Sequence, residues 1–539
     1  MNIMNKKLFA FVGLISMAAS AMMAQTETNV FWGKDNPLPK SGSIYLLGKR
    51  GNSIVGYKKD GKNVSIITYS YDDLQVSGEV PVIGKTSKDG GKVISKDYTF
   101  DQILILKDKN YVCVTAYDKS SKGNTLYMQE FDNSGHLQGG LKKIITMDAK
   151  SKHNTGAFDF IVCKDSSKFM LVDIPPVEKN SSGKFNIEIV DQNLNILNTA
   201  QISLPNIPGT TTITEDAMRL SNDGMAYMMA EITEQRNTKV KGEAGFYFQL
   251  FAINPKGNGD ITTYDLKLPE KAITDISYSL EEGKYIVCSG FYGNVKGSKY
   301  STGQIDGIFY FRINKETKEI ESTGVKPLDR DFIADLTSEK SANKGKGISN
   351  NFTITNFTKR GDGGAILIAE YRDFYVIAYS DKNGTHYVYH YIRNNIIVIN
   401  INPDGSIKWY ANIPKKQHTQ NDGGLYSSYM YAIKGDKMEF VYNDDARNYD
   451  PNHPRETTKD LKTMTSPSKS MAVLVELSSS GQFTKSPLFN NKENKSTLTP
   501  SKALSIGNSE LIVPSVHIAA SCCFFGGSSK YKLARFEFK

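Results

Sequence analysis

Cysteine, tryptophan and long apolar runs are scarce in this chain, and each scarcity excludes something. Five cysteines among 539 residues cannot staple a fold of this size. Cys113, Cys163 and Cys288 sit in or beside apolar phrases, where a thiol behaves as a small buried hydrophobe. Cys522 and Cys523 are adjacent in SCCFFGG; a vicinal disulfide is conceivable there, although ordinary disulfide geometry does not suit neighbouring residues. Beyond the first residues no apolar stretch approaches bilayer length, so the mature chain is expected not to span a membrane. No Pro/Ser-rich or charge-run linker divides the sequence, and no long amphipathic helix interrupts it; only residues 326–349 leave room for a short one.

The first residues read differently from the rest. Lys6 and Lys7 precede an apolar stretch from Leu8 to Met23, and small residues end at Ala24, which is the pattern of a cleaved secretory signal peptide over residues 1–24. The expectation is an exported protein, periplasmic or extracellular, with residues 25–539 as one domain. Cleavage leaves 64 basic residues against 57 acidic, a formal charge of +7. Spread over so long a chain, that excess is no signature of a nucleic-acid partner.

What the chain has in abundance is one phrase, a tight turn followed by an apolar run. It recurs as RGNSIVGY, KDKNYVCVTAY, KDSSKFMLVDI, SNDGMAYMMAEI, LEEGKYIVCSGFY, RGDGGAILIAEY, KGDKMEFVY and IGNSELIVPSVH. Taking Arg50, Asp108, Asp165, Asn222, Glu281, Gly361, Gly435 and Gly507 as equivalent points, the spacings are 58, 57, 57, 59, 80, 74 and 72 residues. Val, Ile, Tyr, Phe and Thr dominate four runs per unit, for example YTFDQILIL, YVCVTAY, TLYMQEF and LKKIITM. Asp-Gly pairs such as Asp60-Gly61, Asp223-Gly224, Asp362-Gly363 and Asp404-Gly405 supply the positive φ that tight turns require.

Eight similar four-stranded units in an all-β chain predict a single β-propeller with eight blades, seven being the alternative. The expected blades are approximately 40–84, 97–147, 155–204, 212–268, 271–328, 350–414, 423–489 and 500–539. The last unit ends at its third strand, so residues 28–33, with NVFW, are expected to donate the fourth and close that blade. Connections between second and third strands are long at 233–244, 293–306, 373–393, 446–469 and 518–529. Alternate hairpins of a meander point to opposite ends, so these loops, together with 326–349 and 414–422, should crowd one face.

Candidate chemistry lies on that face. In FYVIAYSDKNGTHYVYHYIRN, strand alternation puts His386 and His390 on one side and Tyr387, Tyr389 and Tyr391 on the other. Histidines four apart in a strand are about 13 Å apart, too far to share one metal. With Tyr375 and Tyr379, the tyrosines make a candidate stacking platform for a sugar or peptide; the plainer alternative is a hairpin packed on neighbouring loops. IPKKQHTQNDGGLYSSY offers Lys415, Lys416 and His418 as ligand contacts, with Lys and Gln solvating a loop as the plain alternative. His418, Asp422 and a nearby serine invite a catalytic-triad reading, but no Gly-x-Ser-x-Gly elbow occurs. Arg447 is a further binding candidate. Asn448, Asp450 and Asn452 alternate oxygen ligands as calcium sites do, without the EF-hand glycine; no other cofactor is indicated.

The run DGSIKWYANIPKKQHTQNDGGLYSSYMYAI followed by KMEFVYNDDARN resembles uncharacterised exported bacterial β-propeller-like proteins with an IPKxQ…ND…SSY motif. The match is best over residues 404–448. That resemblance implies a fold and no activity. The sequence therefore supports first a non-catalytic module recognising a protein or glycan. The alternatives are a glycan- or peptide-acting hydrolase with carboxylates at a central channel, and a structural component of a cell-envelope assembly.

Overall fold

In the computed structural model the described residues run from 28 to 538, excluding 40–41, 85–91, 177–183, 204–210, 234–243, 255, 257–259, 281–282, 297–298, 301–303, 383, 454, 456–457 and 518–528. The adjacent cysteines Cys522 and Cys523 and all but the last residue of the 518–529 connection lie outside these residues.

The chain is all-β and builds four-stranded antiparallel sheets one after another. The first runs in order through Gly42–Arg50, Ser53–Asp60, Asn63–Ser70 and Val76–Ile83. Six more follow the same meander at 99–148, 157–203, 211–266, 271–327, 352–420 and 430–490. The eighth combines Lys530–Phe538 and Glu510–His517 with two short inner pieces, Thr497–Leu498 and Leu504–Ile506. Its outer strand is Thr28–Trp32, which pairs antiparallel with Lys530–Phe538, Thr28 opposite Phe538 and Trp32 opposite Ala534. Val30 and Trp32 pack there against a cluster containing Val513 and Phe536.

Alternation along the strands sends successive side chains to opposite faces, and both faces are buried. In the sixth sheet Leu367 and Ala369 pack against Phe291 and Tyr310 of the fifth, while Ile368 packs against Tyr442 and Val475 of the seventh. Each consecutive pair of sheets shares such a cluster. Another joins the eighth to the first through Tyr531, Leu533, Ile44 and Tyr69. Each fully buried Val, Ile, Leu or Phe contributes about 1.5–3 kcal/mol, so stability resides mainly between the sheets.

Turn chemistry follows the sequence. Gly61, Gly224, Gly363 and Gly405 of the Asp-Gly pairs take φ values of 61°, 93°, 91° and 82°. Several first strands carry a bulge, including those between Ile273 and Asp275 and between Ile354 and Asn356. The first turns Asp275 toward the sixth sheet, where its Oδ2 accepts the Ile354 amide at 2.7 Å. Residues 326–349 hold two short helices, Arg330–Leu336 and Glu339–Asn343, the second capped by Ser338. Among the described residues no helix is long and apolar enough to cross a membrane.

Two segments differ from the reading of the sequence. Residues 373–393 form the hairpin that strand alternation allowed and not an open connection: strands Ala365–Asp381 and Gly384–Ile401 stay paired from Arg372 opposite Arg393 to Asp381 opposite Gly384. Residues 414–420 likewise belong to a strand, Ile407–Gln420, rather than to a connection. In the hairpin β-branched and aromatic residues keep their alternation, and residues 416–420 extend the pairing by bonding to 390–394.

Candidate functional site

Two features of the sixth and seventh sheets stand out, an exposed hairpin and a buried polar network beneath it. The hairpin presents apolar side chains on both faces. Phe374, Val376, Tyr387 and Tyr389 are 52, 42, 56 and 43 % exposed on one; Tyr375, Ile377 and Tyr379 are 38, 48 and 52 % exposed on the other. Rings stack across the strands: Tyr375 on His390 at 4.4 Å between centroids, Tyr379 on His386 at 5.2 Å, and Phe374 near Tyr391 at 5.2 Å. His386 Nε2 also lies 3.1 Å from Asp381 Oδ1. The first-strand pairing ends at Tyr371, so Asp373–Asp381 has an outer edge with no neighbouring strand among the described residues.

His390 and His418 meet at the base, Nδ1 to Nε2 at 2.8 Å. One imidazole must donate and the other accept, so both cannot be protonated in this arrangement. Burial and the neighbouring His390 lower the proton affinity of His418. Among the described residues His418 has no carboxylate partner, and Asp422 accepts from Thr419 Oγ1 at 2.9 Å, so the triad reading finds no geometry there.

The motif IPKxQ…SSY builds the network. Ile413, Lys415, Gln417 and Thr419 alternate inward along one strand, and all four are buried. Lys415 is wholly buried, which corrects its reading as a ligand contact and, with Gln417, the idea of a solvated loop. Its ammonium donates to Glu370 Oε1 at 2.8 Å, the Arg393 carbonyl at 2.8 Å and Gln417 Oε1 at 2.9 Å, using all three protons. Burial pulls that ammonium down to about 8, against the attraction of Glu370. Burial also opposes the charge on Glu370, yet Lys415 and Arg372 together hold its carboxyl below the usual range.

The second oxygen of Glu370 accepts from Arg372 Nε and from Ser428 Oγ, both at 2.9 Å. Ser428 holds φ = +68°, a left-handed conformation costly for a serine. The network reaches the next sheets. Gln417 Nε2 donates to the Asn443 carbonyl at 2.7 Å, and Asn443 Nδ2 donates to the Tyr426 and Leu498 carbonyls at 2.8 and 2.9 Å.

The remaining candidates are dispersed. Lys416 is half-buried on the opposite side of its strand from Lys415. Arg447 is exposed and forks onto Asp445 at 2.8 and 2.7 Å. The calcium set does not assemble. Asn448 is buried, its Nδ2 donating to Asp444 Oδ1 and the Lys462 carbonyl and its Oδ1 accepting the Lys462 amide. Asp450 is engaged by the Asn452 amide and His453. Buried Asp444 is balanced by Lys485 at 2.6 Å and Tyr449 at 2.8 Å, so no cation is needed to neutralise it. Among the described residues no three His, Cys, Asp or Glu side chains are grouped to hold a metal.

A cavity of about 1400 Å³ lies between the first strands of the third to sixth sheets. Arg219, Asp275, Tyr278, Thr355 and Arg372 line it. Both Asp275 oxygens accept backbone amides, those of Ile276 and Ile354, and burial raises its carboxyl to about 6. With its oxygens so engaged it is poorly placed as a general base for the hydrolase alternative.

No protein-family model matches the chain, and no curated protein matches it. Among solved structures, a prolyl endopeptidase is similar at 10 % identity and TM-score 0.36, over 88 % of this chain and 54 % of that one. Prolyl oligopeptidase B from Galerina marginata is similar at 8 % identity and TM-score 0.36, over 90 % and 55 %. The chain thus spans about half the length of these two peptidases. The β-propeller domain of the Trilobed protease from Pyrococcus furiosus is similar at 11 % identity and TM-score 0.31, over 84 % and 98 %.

Proposed function

We propose that the chain is an exported, non-catalytic recognition module, an eight-bladed β-propeller closed by its N-terminal strand, which binds a protein partner through the 372–393 hairpin. Ring closure is supported by the apolar cluster joining the eighth sheet to the first and by the pairing of Thr28–Trp32 with Lys530–Phe538. Export is supported by the charged, apolar and small-residue pattern of residues 1–24.

The hairpin is the observation that carries the reading. Five of its aromatic rings are 38–56 % exposed, which at about 200 Å² per ring leaves roughly 500 Å² of aromatic surface in water. That is comparable to the largest apolar patch on an ordinary monomer and approaches the ~800 Å² one partner contributes to a standard interface. A glycan platform needs one aromatic face. Two apolar faces and an open strand edge suit a protein that grips the ribbon from both sides or extends its sheet. The polar tip, Ser380 to Thr385, argues against insertion into a bilayer.

The test is site-specific photocrosslinking in the producing cell. Crosslinkers at Val376, Tyr387 or Tyr389 are expected to give one discrete adduct, and one at Thr317, on a turn of the fifth sheet, none. Equal adducts from all positions, or none from the hairpin with saturable polysaccharide binding by the purified protein, would overturn the protein-partner reading.

A further inference from the structure

The cavity among the third to sixth sheets meets the hairpin only at its base residue Arg372, and its chemistry is different. Two guanidinium groups reach it from different sheets, each held so that part of it stays open. Arg219 lies 4.6 Å over the Tyr278 ring and 3.4 Å from Ser277 Oγ. Arg372 donates Nε to Glu370, while its two terminal nitrogens have no hydrogen-bond partner among the described residues. Glu370 cannot turn away from Arg372, because Lys415 and Ser428 fix its two oxygens. The motif network is therefore a socket that presents one face of Arg372 to the cavity.

Charge in the cavity does not cancel. Lys164, Lys284 and Lys315 join the two arginines along its wall, against Asp223, Asp275 and Glu316. Five cations against three carboxylates leave a formal excess of two positive charges on the wall, with Glu316 paired to Lys284 at 3.9 Å. Burial lowers the proton affinity of Lys315, with Asp223 acting against it and Lys359 adding to it.

We propose that this cavity binds an acidic peptide segment, whose carboxylates pair with Arg372 and Arg219. A guanidinium whose Nε is already fixed keeps its terminal N–H pair for a carboxylate, with little conformational entropy left to lose. The volume exceeds the roughly 300–1,000 Å³ of a small-molecule pocket and suits an extended chain. Its remaining walls mix apolar side chains such as Met218, Ile276 and Phe357, which suit peptide side chains, with Ser277, Thr353 and Asn356, which can pair with a peptide backbone. The site touches the hairpin only at its base residue Arg372 and uses none of its exposed rings, so either assignment can fail alone.

Fluorescence anisotropy of the full mature chain with labelled hexaglutamate tests the proposal, with hexaglutamine and hexagalacturonate for comparison. Hexaglutamate should saturate and hexaglutamine should not. Arg372→Gln and Arg219→Gln should each weaken binding at least about tenfold, as expected for loss of a charge-assisted pair. Tyr387→Ser should leave it unchanged. If Arg372→Gln fails to fold, Arg219→Gln decides alone. Equal binding of hexaglutamate and hexaglutamine, or binding undiminished in the folded arginine variants, would overturn the site. Tighter binding of hexagalacturonate would overturn the peptide assignment in favour of an acidic sugar.

Discussion

Replacing Lys415 with methionine removes an ammonium that is wholly buried and makes three hydrogen bonds. The methionine fills similar volume, so packing changes little and the electrostatic effect is isolated. Glu370 keeps Arg372 and Ser428 but loses its closest buried cation. Removing one partner of a buried ion pair costs about 3–5 kcal/mol, most of it the uncompensated charge left behind. Unfolding entropy is about 2.1 cal/mol/K per residue, so some 500 residues give roughly 1 kcal/mol/K, and the melting temperature should fall by about 3–5 °C. Scanning calorimetry at pH 7 reads this directly. A second variant, Glu370→Gln with Lys415→Met, removes both charges and should recover most of the loss. If the single variant melts within about 1 °C of the parent, or the double variant is worse than the single, Lys415 is not part of a charge-balanced socket.

Two further expectations concern other sheets. Burial and Asp173 raise the Glu188 carboxyl to about 8, and burial and Glu476 raise Glu439 to about 7. Raised carboxyls bind protons in the folded state, so their contribution is complete below about pH 4.5 and is lost as pH rises through 7 and 8. Melting temperature should therefore decline between pH 5 and 8, and Glu188→Gln with Glu439→Gln should flatten the decline; an unchanged slope would refute the assignment. Deleting residues 25–33 strips the eighth sheet of its outer strand and exposes the cluster around Val513 and Phe536. Lower thermal stability and concentration-dependent aggregation are expected, and an unchanged melting curve would contradict the closure.

Much of the architecture was legible because it is written in local chemistry. Strand runs rich in Val, Ile and Tyr, Asp-Gly turns and the unpaired last unit all act over a few residues. The site was less legible because its parts meet only in space. Glu370 lies 45 residues from Lys415, and Arg219 reaches the cavity from another sheet. One signal was present: in IPKKQHTQ, position-by-position alternation puts Ile413, Lys415, Gln417 and Thr419 on one face, so a lysine shares its side with an isoleucine. A lone glutamate inside the apolar run AILIAEY is its natural counterpart. The length of residues 373–393 exceeds that of an ordinary connection and suggests a loop, while the alternation of aromatic residues points to the hairpin that forms.

On the proposed reading the hairpin recognises a partner and is dispensable for the fold. Replacing residues 374–391 with a short Asn-Gly turn should leave the melting temperature within about 2 °C of the parent, since few core residues are lost. Calorimetric titration of the crosslinked partner, once purified, should then show affinity weakened at least about a hundredfold, the loss expected when a central aromatic cluster is removed. A trimmed protein that folds normally and binds with unchanged affinity would contradict the account.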